Sequence, residues 1–174
     1  MSLREELQQR RPFSSVQEEA LLSLFTTWDL IYRNMHRMMQ RYGLTVAQYN
    51  VLRILRGAAG DGLPLMSIAR RMIVRYPNVT RLTDRLESDG LIRRVRSTAD
   101  RRVVRAFATA EGLALLAQLD GQVERLVVHL MRGASESDLK ALIGILEAVR
   151  GPLRSGDGKG LAGNEELEAD LGLA

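Results

Sequence analysis

One stripe of apolar side chains limits what this chain can become. From Leu21 onward, Leu24, Phe25, Trp28, Ile31, Tyr32, Met35, Met38, Met39 and Tyr42 recur at steps of one, three and four. That spacing gathers side chains on one face of an α-helix. Ser15 followed by Glu18 reads as a capping box at its start, and Gly43 supplies its stop. The helix is too long, and its stripe too wide, to sit inside a small domain, so it must bury that face against another helix. The other end of the chain makes the same demand. Thr109 can cap a long helix carrying Leu113, Leu116, Leu119, Val123, Leu126, Val127 and Leu130, broken at Gly133. Ser135 with Asp138 starts a last helix carrying Leu139, Leu142, Ile143, Leu146 and Val149, closed by Gly151-Pro152.

Shorter elements lie between these helices. Thr45 with Gln48 is a second capping box, opening a helix to about Arg56 with Tyr49, Leu52 and Leu55 on its inner face. Gly57 to Pro64 lacks the Gly-Lys-Ser/Thr ending of a phosphate loop and reads as a connection only. A short helix covers roughly Ser67 to Ile73, with no good side-chain cap at its start. Pro77 suits the first position of the next helix, where a missing amide costs nothing, and Gly90 ends that helix after Ser88. Leu91 to Ser97 and Arg101 to Thr109 are β-leaning runs around Thr98-Ala99-Asp100, a hairpin. Three short helices and a hairpin make a winged helix-turn-helix. The expected fold class is therefore mostly α with a small β wing (α+β). Its parts are an arm at 1–14, a first dimerisation helix at 15–43, a DNA-binding head at 44–109, C-terminal dimerisation helices at 110–150 and an acidic, Gly-rich tail at 151–174.

Composition narrows the function. At 174 residues with 45% hydrophobic and 26% charged residues, the chain is globular rather than disordered. The absence of Cys excludes disulfides, thiolate metal sites and cysteine nucleophiles. No run of 18 apolar residues marks a membrane span, and Met1 to Arg11 has no signal-peptide core, so the expected location is the cytoplasm, without membrane partners. His36 and His129 lie far apart with no adjacent motif, and no His/carboxylate cluster forms, so neither catalytic residues, nor a metal, nor a cofactor is expected.

Charge is the positive signal. Between Ser67 and Arg105 stand eleven arginines against four acids, a local charge of +7 in a chain whose total is +4. Such a block set in an otherwise mildly acidic chain is the footprint of a nucleic-acid partner. On the helix after Pro77, Val79, Leu82, Thr83 and Leu86 gather on one side, while Asn78, Arg81 and Arg85 line another with Thr80 and Asp84 nearby. Asn, Thr and Arg have the donors and acceptors that base edges require. Arg93, Arg94, Arg96, Arg101, Arg102 and Arg105 crowd the hairpin against Asp100, a ribbon that repels itself without a polyanion. Its Asp-Arg-Arg tip suits the narrow minor groove. The bland readings are a solvated helix face and a charged edge strand that avoids aggregation.

At these residues the chain resembles the multiple antibiotic resistance regulators, the MarR family of dimeric bacterial winged-helix transcription factors. The matching stretches are Gly43-Leu44-Thr45 with Gln48-Tyr49-Asn50-Val51-Leu52, then Pro77-Asn78-Val79-Thr80-Arg81-Leu82. Asp84-Arg85-Leu86-Glu87 with Gly90-Leu91 follows, and then Asp100-Arg101-Arg102 leading to Thr109-Ala110-Glu111-Gly112. Ala108 departs from the family, which usually has Leu there. The resemblance implies a homodimer on a pseudo-palindromic operator of double-stranded DNA, acting as a repressor. Its DNA contacts would come from Pro77, Asn78, Thr80, Arg81, Arg85, Arg94, Arg96, Asp100, Arg101 and Arg102. It also implies a pocket between head and dimer region, where small aromatic or phenolic effectors weaken DNA binding. Here that pocket is expected among Trp28, Tyr32, Met35, His36 and Met39, with Arg53 and Arg56 as counter-charges for an anionic compound. The alternative is an architectural or constitutive winged-helix module without a ligand switch.

Overall fold

The computed structural model describes residues 2–58, 60–74, 76, 78–96 and 103–155. The chain divides into two compact units, Met1–Val127 and Val128–Ala174. Seven helices and three strands follow in the order α1 (Leu3–Glu6), α2 (Val16–Gln40), α3 (Val46–Arg56), β1 (Leu63–Pro64), α4 (Leu65–Arg71), α5 (Val79–Ser88), β2 (Ile92–Arg96), β3 (Val104–Ala108), α6 (Ala110–Met131) and α7 (Glu136–Ser155).

The caps explain most of the boundaries. Thr45 Oγ1 accepts the Gln48 amide at 3.1 Å, and the Gln48 side chain accepts the Thr45 amide at 2.9 Å. Ser135 and Asp138 exchange the same pair of bonds at 3.2 and 2.9 Å. At α2 the box is only half closed. Ser15 Oγ accepts the Glu18 amide at 3.1 Å, but the Glu18 carboxylate takes the amide and hydroxyl of Ser14 instead, both at 2.6 Å. Gly43 and Gly90 stop α2 and α5 in the left-handed region, at φ 69° and 72°, where a side chain would be strained.

Four expectations are corrected. Helix α5 starts at Val79, with Asn78 as its cap: Asn78 Oδ1 accepts the Arg81 amide at 2.9 Å. Pro77 therefore precedes the cap rather than opening the helix. The connection before α4 is not loop throughout, because Leu63 and Pro64 pair with Ala106 and Arg105 as a third, antiparallel strand. A proline is tolerated there because β1 is an edge strand, in the order β1-β3-β2. Helix α4 then begins at once, at Leu65, with no side-chain cap, and ends at Arg71. Finally, α7 runs through Gly151-Pro152 to Ser155, so Pro152 forgoes its own amide bond and crowds the preceding turn without ending the helix there. The boundary between helix and tail moves accordingly from 150 to 155, and the rest of the expected tail lies outside the described residues. The expected arm contains the one-turn α1, capped by Ser2 and Glu5.

The core of the first unit centres on α3. Val51, Leu52 and Leu55 meet Met39 of α2, Ile68 of α4, Leu86 of α5, Ile92 and Ala106 of the sheet, and Leu116 and Leu119 of α6, all buried. Helix α6 comes close enough to join this core because of Gly112. A Cβ there would lie 2.2 Å from the Leu91 carbonyl oxygen, so only glycine fits. In the second unit, α7 leaves Leu142, Ile143, Ile145, Val149 and Leu153 exposed along its length.

Gly112→Ala should therefore destabilise the protein by about 1–3 kcal/mol through overpacking. Gly121→Ala, on the exposed side of the same helix, meets nothing closer than Arg125 Nη1 at 3.7 Å and should stabilise by about 0.5–1 kcal/mol. Chemical denaturation of the two variants checks both signs.

Candidate nucleic-acid interface

Helix α5 packs as its periodicity demands. Val79, Thr83 and Leu86 are buried, Leu82 is half-buried, and Asn78, Thr80, Arg81, Asp84 and Arg85 are exposed. Thr83 keeps its hydroxyl satisfied in the core by donating to the Thr80 carbonyl at 2.8 Å. The exposed face combines Asn, Thr, Asp and Arg side chains. Arg81 is exposed, and Arg85 forms an i,i+4 ion pair with Asp89 (3.1 Å) on a side chain 72% exposed, a contact weak enough to yield to a stronger anion. Asn78 differs from the sequence expectation: its carbonyl oxygen holds the cap, so only its Nδ2 donor faces outward.

The wing carries less free charge than its composition suggests. Arg94, expected to touch DNA, is a strap instead. Its guanidinium reaches Asp84 at 2.6 Å and Glu87 at 2.7 Å, and its own amide donates to Glu87 at 2.8 Å. Both acids belong to α5, so one half-buried arginine ties the recognition helix to β2. Arg93 lies over the Phe107 ring, 4.2 Å from its centroid, directly across the strand pair. Phe107 in turn covers Gly62, where any Cβ would fall 2.5 Å from the ring. Arg105 donates to the carbonyls of Asp61 and Gly62 at 2.9 and 3.1 Å, clamping β3 to the loop before β1. Arg96 is exposed at the far end of β2. Pro77, Asp100, Arg101 and Arg102 lie outside the described residues.

A second concave feature lies beside this face. A cleft of about 370 Å³ is bounded by α2, the start of α3 and the segment joining α4 to α5. Trp28, Tyr32 and Met35 line it, as the sequence suggests, with the Trp28 and Tyr32 rings stacked at 5.0 Å. The other four expected residues do not. Met39 is fully buried in the core. His36 stacks behind Tyr32, at 6.2 Å between centroids, and is not part of the lining. Arg53 lies over the Tyr49 ring at 5.8 Å, and Arg56 forms a two-pronged bond to Asp120 on α6, at 2.8 and 3.0 Å. Burial raises the Tyr49 phenol above its ordinary pKa, and the Arg56 bond lowers the Asp120 carboxyl below its own.

Sequence reasoning missed Ile31, Val46, Ala47 and Asn50 on two helices, and Met72, Ile73, Val74 and Tyr76 on the connecting segment. Two signals pointed there. Val46, Ala47 and Asn50 share one face of α3, and three consecutive apolar residues, Met72 to Val74, follow the end of α4 with two of them exposed. Asn50 joins the two walls, its Oδ1 accepting the Ile73 amide at 3.0 Å. Among the described residues no group of three His, Cys, Asp or Glu side chains is arranged to hold a metal, and no helix is long and apolar enough to cross a membrane.

The strap has a pH signature. The hydrogen-bonded Arg94 guanidinium holds the Glu87 carboxyl below its ordinary pKa. A carboxyl depressed in the folded state stabilises the fold above its unfolded pKa, and that contribution fades as pH falls through the folded value. Glu87→Gln should thus cost about 0.5–1 kcal/mol near pH 7 and progressively less as pH falls below the ordinary carboxylate range, read as converging denaturation midpoints.

The MarR family model matches residues 44–104, from the residue before the Thr45 cap to the first residue of β3. The HTH-type transcriptional repressor MdtR of Bacillus subtilis is 40% identical over 91 residues, which are 52% of this chain. The match spans 57% of MdtR, a little over half its length. A MarR transcription factor from Planctomyces limnophilus is 34% identical, with a TM-score of 0.63 over 79% of this chain and 99% of that one. BpsR of Bordetella bronchiseptica, whose DNA binding is regulated by 6-hydroxynicotinic acid, shares the fold at 21% identity, with a TM-score of 0.69 over 76% of this chain and 99% of its own. With its capped recognition helix, its strapped wing and a relative matched along nearly its whole length, the chain belongs to the MarR family of winged-helix transcriptional regulators.

Proposed function

We propose that the protein is a homodimeric, sequence-specific repressor that leaves its operator when a small aromatic molecule fills the cleft. The observation that carries this reading is the outer face of α5. Thr80, Arg81 and Arg85 stand exposed there beside the wing, on a helix whose pitch against β2 is held by the Arg94 strap. Arg81 and Arg85 read base edges in the major groove, helped by Thr80 and by the Nδ2 donor of Asn78. Pro77 leads the chain into that helix. Arg96, Arg101 and Arg102 supply phosphate and minor-groove contacts from the wing, and Asp100 orients one of those arginines. Arg94 acts through the strap rather than on DNA. Such a protein binds and releases; it is not an enzyme, needs no cofactor, and works in the cytoplasm.

The dimer follows from unpartnered apolar surface. Helix α2 leaves Leu21, Leu24, Phe25 and Trp28 exposed, and α7 leaves five large aliphatic side chains exposed. Exposed stripes of this extent on helices that flank a finished head call for a second copy. The working division of the chain is an arm at 1–14, a dimerisation helix at 15–43, the head at 44–109 and C-terminal dimerisation helices from 110 to the end of α7. Cleft-lining Trp28 lies on the proposed dimerisation helix while Asn50 and Ile73 belong to the head, so an occupant bears on both.

Sedimentation at micromolar concentration should give about twice 19.5 kDa, and footprinting should show half-sites about one helical turn apart, ~10 base pairs. Arg81→Ala should cost about 1–3 kcal/mol at the preferred site and relax discrimination there. Arg102→Ala should weaken all sequences evenly and reduce the salt slope by about one. Equal losses on every sequence from both variants would leave an architectural binder. Because Trp28 lines the cleft, saturable quenching of its fluorescence should parallel release of DNA. Quenching without release would leave a constitutive binder with a cleft.

A further inference from the structure

The Arg94 strap holds only one end of the recognition helix. Asp84 and Glu87, the acids it grips, lie in the second half of α5, and the Leu91 amide closes that end on the Leu86 carbonyl at 2.9 Å. Of the proposed base readers, Arg85 belongs to this half, whereas Asn78, Thr80 and Arg81 stand at the start of the helix. Val79 packs the first turn into the core. Apolar packing of that kind resists withdrawal but is not directional, so the placement of the first turn also depends on the chain that leads into it.

That chain is the connection from α4. Met72 buries its beginning in the core, and Ile73, Val74 and Tyr76 are exposed. Among the described residues, one hydrogen bond ties the connection to another element: the Ile73 amide donates to Asn50 Oδ1 on α3 at 3.0 Å. Asn50 is half-buried on the helix around which the core is built, so its acceptor is a fixed point for an otherwise exposed run of backbone. Five positions separate Ile73 from the Asn78 cap, and one of them is a proline, whose ring removes a backbone torsion. A run so short has little slack in which to absorb a shift at Ile73. We infer that Asn50 is a positioning residue for base reading: through the Ile73 amide it sets where α5 begins, and with it sequence discrimination, without itself contacting DNA. This rests on the proposal that α5 reads base edges.

Two variants of the full chain test this. Asn50→Leu removes the acceptor at nearly constant size, and Asn50→Asp keeps it. Affinities are measured, without any effector, for the operator located by footprinting and for an unrelated duplex of equal length, and exchange of the Ile73 amide is followed by NMR. Asn50→Leu should lower the ratio of the two affinities about threefold to tenfold, the weight of one hydrogen bond. Binding to the unrelated duplex and its salt slope should not change, and the Ile73 amide should exchange faster. Asn50→Asp should restore most of the ratio, because its added charge weakens both duplexes alike and cancels. An unchanged ratio in Asn50→Leu overturns the inference, as does an unchanged exchange rate at Ile73. Equal losses on both duplexes, or a loss of discrimination that Asn50→Asp shares in full, overturn it as well. A native chain whose footprints show no preferred site overturns the base-reading proposal itself, and the inference falls with it.

Discussion

Three elements meet at the backbone of Leu91, and the head depends on that junction. Its amide donates to the Leu86 carbonyl at 2.9 Å, closing the end of α5. Its carbonyl accepts the Thr109 amide at 3.1 Å, at the foot of the wing. The Gly112 backbone presses on the same carbonyl from the first turn of α6. Thr109 completes the junction by donating its hydroxyl to the Gly90 carbonyl at 2.8 Å while accepting the Gly112 amide at 3.1 Å. The recognition helix, the wing and the start of α6 therefore share one set of backbone bonds. A displacement of α6 that leaves these bonds intact carries α5 with it, so in the proposed dimer the long helices would set the spacing of the two heads.

Electrostatics are arranged on the same plan. An Arg-rich segment needs its positive charge outside, yet several of the described arginines on the hairpin are engaged within the protein. Arg94 is neutralised by two acids of α5, Arg93 lies on a ring and Arg105 on two carbonyls. Charge-assisted bonds of this kind fix direction as well as energy, since a guanidinium fork accepts few geometries. What they secure is the angle between α5 and the wing. Exposed arginines such as Arg81, Arg85 and Arg96 are thereby presented on a rigid frame, and a rigid frame lowers the ordering cost of binding.

Local signals in the sequence were legible wherever a residue acts on its near neighbours. The Thr45 and Ser135 boxes, the glycine stops and the inward face of α5 all depend on contacts within four positions, and each stands as the spacing implies. The misreadings have another origin. Asn78 has two valid uses, as cap and as base reader, and periodicity cannot rank them; the Arg81 amide claims its oxygen. Arg94 and Arg56 are indistinguishable in sequence from free cations, because their partners lie seven, ten and sixty-four residues away. The strand at Leu63 is two residues long and exists only because β3 has an open edge. Pro152 misled by its identity, since a helical proline costs an amide bond and a ring contact without always ending the helix. The cleft was half visible: its α2 wall follows from the stripe, whereas its other walls join residues 46–50 to 72–76 through tertiary packing alone.

That joining gives the cleft its leverage on the recognition helix. The segment from Met72 to Tyr76 is at once a wall of the cleft and the approach to the Asn78 cap. It is held to α3 by the Asn50–Ile73 bond and anchored in the core by Met72, while Ile73 and Val74 remain exposed. In the proposed switch, an occupant packed against this wall would shift the position from which α5 begins, while Trp28, Tyr32 and Met35 would bear the opposite load on α2. A ligand shifts such an equilibrium only by its difference in affinity between the two arrangements. A hundredfold loss of DNA affinity requires about 2.7 kcal/mol of coupling. Contacts made in one arrangement and broken in the other supply that amount from a few buried methyl groups and a single hydrogen bond.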